Sequence, residues 1–195
     1  MKNKFAFILG NGTSRLQLDC RSLLKHGYVY GCNRIYQDLS PDILVSTDKN
    51  IAHEIQESGY SLKNIHYTRK QNIIKNSGAK ELPDDIQGMS SGPACLGLAC
   101  KSNQNYIFMI GMDLKGINNK INNMYAGTKF YKSKDELATP YSNWQEHILF
   151  LMQKNINKNF FHVNPLDNFT PDKWKQLTNF ETMSLESFKQ MINNL

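Results

Sequence analysis

The chain has 195 residues, 40% hydrophobic and 21% charged, a balance that fits one packed domain and excludes the disordered and collagen-like classes. No apolar run approaches the length of a membrane span. The start, Met1-Lys2-Asn3-Lys4, leads into an apolar stretch too short for a signal peptide, so the expected location is the cytoplasm. The formal charge of +6 favours phosphorylated or polyanionic partners only mildly, because the lysines and arginines are scattered and match no nucleic-acid-binding signature.

Residues 4–9 (Lys-Phe-Ala-Phe-Ile-Leu) form a short apolar run stopped by glycine, the pattern of a buried strand. An irregular helical connection through Leu16, Leu18, Leu23 and Leu24 ends at Gly27, and residues 28–32 read as a second strand. A helical turn starts at Asn33. Ser40-Pro41-Asp42 then breaks the chain before a third strand, 43–46, that ends at Thr47-Asp48. Residues 50–58 suit an amphipathic helix with Gly59 as its stop, and 64–68 a fourth strand. The stretch 69–87 reads as loop with one short strand.

Ser90-Ser91-Gly92-Pro93 opens the clearest helix, with serine at the cap and proline in the first turn. Residues 105–110 (Asn-Tyr-Ile-Phe-Met-Ile) make the best strand, followed by Gly111-Met112-Asp113. The polar segment 115–137 resembles a lid. Residues 141–155 form an amphipathic helix, 159–163 a last strand, and 170–177 and 184–195 C-terminal helices, with Ser184 capping the final one. Strands alternating with helices predict an α/β fold, a Rossmann-like, mainly parallel sheet flanked by helices, spanning 1–195 as one domain.

In such a sheet ligands bind beyond the carboxyl ends of the strands. Gly10-Asn11-Gly12-Thr13-Ser14, Asn33, Asp48 and Asp113 all follow strands, and Ser90-Ser91-Gly92 opens a helix, where free N–H groups favour an anion. Alone, the glycine loop is equally a tight strand-to-helix turn, since it is neither GxGxxG nor a P-loop, and Ser90-Ser91-Gly92 reads more readily as a plain helix cap. Their coincidence at one edge points to a nucleotide or phosphate site. Cys20, Cys32, Cys95 and Cys100 fit neither a CxxC pair nor a disulfide framework and read as reduced, structural thiols. The five histidines have no ligand spacing, so no metal is expected. His162 reads as a core residue with a satisfied nitrogen, His147 as a partly buried helix residue.

The ordered set Gly10-Asn11-Gly12-Thr13-Ser14, Cys32-Asn33-Arg34-Ile35-Tyr36, Ser90-Ser91-Gly92 and Ile110-Gly111-Met112-Asp113 resembles the bacterial sialyltransferases of glycosyltransferase family 42. The likeness covers about residues 4–165 and lies in motif order more than identity. The chain is also similar to the DUF115, or motility-accessory-factor, Rossmann-like domains and to uncharacterised bacteriophage proteins. The resemblance implies a metal-independent transferase without a cofactor, whose substrate is a CMP-linked sugar. Asn11, Gly12 and Ser14 would lie by the phosphate and sugar and Asn33 beside the nucleotide. Ser90, Ser91 and Gly92 would hold the donor, with Asp113 on its ribose or base side. Asp48 stands where the family uses Asn against the donor. Tyr125, with Tyr131 as second choice, matches a lid tyrosine that stabilises the departing phosphate.

The family's general base, a histidine opening the helix after the lid, is matched here by Tyr141, and a phenol is a poor base near neutrality. Asp48 and Asp113 are the substitutes. The expected partners are a nucleotide or nucleotide-sugar and a glycan acceptor, with no specific nucleic acid; oligomerisation is left open. The competing reading is a phage-encoded nucleotide-binding, host-interaction or virion protein without catalysis.

Overall fold

The first strand fixes the layering. In β1 (Phe5–Leu9) Ala6 and Ile8 enter one buried layer and Phe7 and Leu9 the other, because successive side chains on a strand face opposite ways. Both faces are covered, which is why the strand reads as a continuous apolar run. The computed structural model describes residues 4–164 and 169–195; Met1-Lys2-Asn3 and residue 165, the end of the family resemblance, lie outside them.

Seven further strands follow: β2 (Tyr28–Cys32), β3 (Ile43–Ser46), β4 (His66–Thr68), β5 (Lys80–Glu81), β6 (Tyr106–Ile110), β7 (Asn159–Asn164) and β8 (Phe180–Ser184). They form one eight-stranded sheet in the order β5-β4-β3-β2-β1-β6-β7-β8, every pair parallel. The fold is α/β and Rossmann-like. Ala6 lies between Tyr28 of β2 and Ile107 of β6 in register, so β1 is the centre from which the chain order runs outward both ways.

The helices are α1 (Lys49–Glu57), α2 (Tyr60–Lys63), α3 (Ser91–Cys100), α4 (Ser142–Lys154), α5 (Asp172–Lys175) and α6 (Leu185–Asn193). α3 and α4 cover the face carrying Ala6, Ile8, Ile107 and Met109. α1 and α6 cover the other, where Ile51, Ile55 and Phe188 meet Phe7, Leu9 and Phe108. Ser184 caps α6 by accepting from the Ser187 N–H at 3.0 Å, as its sequence position predicts.

Three expectations are corrected. The reading left 178–183 without an element, yet Phe180–Ser184 is an edge strand; only Phe180 of its five residues is buried, so no alternation marks it. The helix expected over 170–177 is a single turn, Asp172–Lys175. Ser90 sits at the N-cap of α3, but its side chain makes no cap hydrogen bond. The polar excursion 115–137 exists as expected; its regular pairing consists of isolated bridges, Ile117 to Lys120 and Lys120 to Leu137. No helix among the described residues is long and apolar enough to cross a membrane.

Candidate functional site

The strand order reverses between β1 and β6, and the crevice at that switch point is the place an open parallel sheet offers a ligand. Its floor is two glycine-bearing turns locked together. The Gly10 N–H donates to Ile110 O at 2.8 Å, and the Gly12 N–H to Gly111 O at 2.8 Å. A Cβ on Gly12 would collide with the Asp113 carboxylate, so the second glycine is a requirement of close approach. Gly111 (φ +69°) and Leu114 (φ +50°) bracket the β6 turn in left-handed backbone, a conformation that a bulky leucine adopts only where its surroundings impose it.

Asp113 is buried, and its charge is met on three sides. It accepts from the Ser14 N–H at 3.1 Å, from the Ser14 hydroxyl in a short bond, and from Asn122 Nδ2 at 2.9 Å. Asn122 Oδ1 in turn accepts from the Thr13 N–H at 3.1 Å and hydroxyl at 2.7 Å. Ser14 therefore acts by orienting Asp113 and does not itself line the cavity.

Across the crevice, α3 brings its N-terminus to the ends of β2 and β3. The Ser91 hydroxyl donates to Asn33 Oδ1 at 2.9 Å and accepts from the Thr47 N–H at 2.9 Å, with Thr47 Oγ1 at 3.0 Å. Asn33, at φ +53°, is held in left-handed backbone that asparagine tolerates better than most residues. The first N–H groups of α3, on Ser91 and Gly92, have no acceptor within the helix and carry the positive end of its dipole.

These elements enclose a cavity of about 180 Å³. Asn11, Gly12, Asn33, Asp48, Ser90, Ser91, Gly92, Asp113 and Tyr141 all line it, so nine of the eleven residues singled out from sequence converge on one space. The exceptions are Ser14 and Tyr125. Sequence reasoning missed Asn122 and Asn123 from the excursion, Met112 and Leu114 from the β6 turn, and Trp144 from α4. The aromatic wall had a signal, since Trp144 lies one turn beyond Tyr141, and their rings meet edge-on at 5.2 Å. Asn11 also lines the cavity, and its Oδ1 is buried without a hydrogen-bond partner among the described residues.

Tyr125 lies elsewhere, beneath the glycine loop. Its hydroxyl accepts from Arg15 Nη2 at 2.9 Å and donates to Asp38 in a short bond. Burial, with Asp38 beside it, pushes the phenol's pKa above its ordinary value. Tyr131, the second choice, adjoins the site through a neighbouring chamber of about 200 Å³ that it lines with Asn33, Asp48, Lys49, Asn50, Ile51 and Phe130. Tyr141 forms the N-cap of α4, and burial raises its pKa, away from a neutral-pH base. His147 does not line the cavity. His162 is fully buried, its Nε2 2.9 Å from Met112 O and its Nδ1 3.0 Å from Thr170 Oγ1, the satisfied core residue expected. It thereby supports the turn that carries Asp113.

Asp48 differs from the other acids. It occupies the N-cap of α1, a place where aspartate normally accepts from the first turn, yet it makes no cap hydrogen bond. Its carboxylate is exposed and pairs with no cation among the described residues. The four cysteines are free and buried, and burial pushes Cys32 and Cys100 up to about 12, so neither is a thiolate near neutrality. Comparison with family models, with curated proteins and with solved structures finds no match to this chain.

Proposed function

We propose that the chain is a nucleotide-sugar-dependent glycosyltransferase that uses a CMP-linked donor and a glycan acceptor. The observation that carries this reading is the cavity at the β1/β6 switch point, with the open N-terminus of α3 and Asn33 on one side and the Asn11 and Asp113 turns on the other. A phosphate set against the Ser91 and Gly92 N–H groups meets the helix dipole, which suits an anion in a cavity whose lining, among the described residues, includes no lysine or arginine. Asn11, which lines the cavity, offers its side-chain amide to the base or a ribose hydroxyl.

The chemistry follows from what can hold a proton. The acceptor hydroxyl oxygen attacks the anomeric carbon while the bond from that carbon to the phosphate oxygen breaks. The nucleotide leaves with the electron pair, and α3 stabilises the charge that develops there. Tyr141 is ill-suited to take the acceptor's proton because burial raises its pKa, and no histidine lines the cavity. Asp48, unpaired on its rim, takes the proton.

Calorimetry and thermal-shift titration with CMP, UDP, GDP and a CMP-sugar test the reading. CMP binding with release of free CMP from the CMP-sugar is expected, and Asp48→Asn should keep binding while losing release. Binding without release favours the second reading, a nucleotide-binding protein without transfer, which the phenol at Tyr141 supports. No response to any nucleotide overturns both.

A further inference from the structure

Two residues, Asn33 and Asp48, line both the main cavity and the chamber beside α1. A group that deprotonates an acceptor must reach the acceptor hydroxyl and the donor's anomeric carbon together, so the base belongs where donor and acceptor spaces meet. Asp48 meets that condition with a carboxylate that neither caps α1 nor pairs with a cation among the described residues.

We infer that the α1-side chamber is an acceptor subsite for an uncharged pyranose ring; this rests on the transferase reading. Its walls suit such a ring. Asp48 and Asn50 offer planar polar groups to neighbouring hydroxyls, while Phe130 and Tyr131 supply aromatic surface for a C–H face, above a base that includes the buried Ile51. Phe130 is the telling residue. It is 47% exposed and held at φ +71°, a backbone cost with no core burial to offset it, and Lys129 Nζ lies 4.7 Å from its ring centroid. A sugar stacked on the ring removes from water the apolar surface that the fold leaves open.

The opposite flank is chemically poorer. The groove of Lys115, Leu137, Pro140 and Tyr141 reaches the main cavity through Tyr141, whose phenol burial pushes away from a neutral-pH base. An acceptor docked there would face no group ready for its proton. With the acceptor in the α1-side chamber, the hydroxyl proton passes to an Asp48 oxygen as the new glycosidic bond forms, and the nucleotide departs into the main cavity.

Methyl-labelled protein reads the three spaces separately, through Ile148 in the main cavity, Ile51 in the chamber and Leu137 in the groove. The probes are CMP, methyl β-galactoside and methyl β-glucoside. CMP should shift Ile148, and at least one glycoside should shift Ile51 saturably at roughly millimolar concentration while Leu137 stays still. Phe130→Ala should weaken that glycoside about fivefold, the equivalent of ~1 kcal/mol of ring contact. A glycoside response at Leu137 instead of Ile51 overturns the inference, as does no response to either glycoside, or one that Phe130→Ala leaves unchanged. If Ile148 ignores CMP while Ile51 still binds the glycoside, the nucleotide reading fails and the sugar chamber stands.

Discussion

Ser91 and Asn11 line the same cavity, but the protein invests in them differently. Ser91 is buried and joins α3 to β3 and to the turn after β2 through Thr47 and Asn33. Ser91→Ala leaves the Thr47 N–H and Asn33 Oδ1 without their partner, and should lower stability by about 2 kcal/mol and weaken CMP through a loosened Asn33. Asn11 has no side-chain partner on its buried oxygen. Asn11→Ala should leave stability within about 0.5 kcal/mol and weaken CMP about tenfold. Urea titration and calorimetry on both variants separate the roles; CMP affinity untouched by Asn11→Ala would show that the nucleotide sits elsewhere. Both residues were legible in sequence as strand-end and helix-start polar groups. Their division of labour was not, because it depends on Thr47, 44 positions from Ser91.

At the level of elements, the excursion 115–137 is a cover clasped at several points. The Met124 N–H donates to Asn11 O at 2.9 Å, Asn122 bridges Thr13 and Asp113, and Arg34 Nη2 donates to Lys129 O at 3.0 Å. Tyr125 supplies the buried clasp on Arg15 and Asp38. Under the proposed function such a cover excludes water from the donor and opens for exchange. Tyr125→Phe removes the hydroxyl from that clasp at a cost of about 1–3 kcal/mol. Amide exchange should quicken at Ala126, Thr128 and Tyr131 while the β1 and β6 amides keep their protection; uniform acceleration would mean that Tyr125 belongs to the global core instead. The polar composition of residues 115–137 marked an excursion in sequence. Its fastening was hidden, because Arg15 and Asp38 lie 110 and 87 residues from Tyr125.

At the scale of the whole molecule, two neutral histidines tie stability to pH. His66 is enclosed with Ser46 Oγ 2.7 Å from Nε2 and Ser61 Oγ 2.7 Å from Nδ1, and His162 is enclosed as described above. Burial lowers each pKa to about 4 from an ordinary 6.5. Between those values the unfolded chain takes up protons that the folded chain refuses. Stability is therefore fully present above pH 6.5 and falls as pH drops toward 4, by up to about 1.4 kcal/mol per pH unit from each histidine. Urea midpoints measured from about pH 7 down to about pH 5 should decline steadily, and a flat profile would mean that these imidazoles protonate without unfolding.

The sequence by itself determined the layering and the edge that carries the site. Apolar runs such as 5–9 and 107–110 read as strands buried on both faces, and in a parallel sheet the polar or glycine-bearing turns after them gather at one end. It did not determine β8, where only one of five residues is buried, because burial and not local pattern makes that edge pair. Nor did it separate Asp113 from Asp48, two aspartates that each follow a strand. Tertiary structure decided that. It closed Ser14 and Asn122 around Asp113, and it left Asp48 lining two chambers with no cation partner among the described residues.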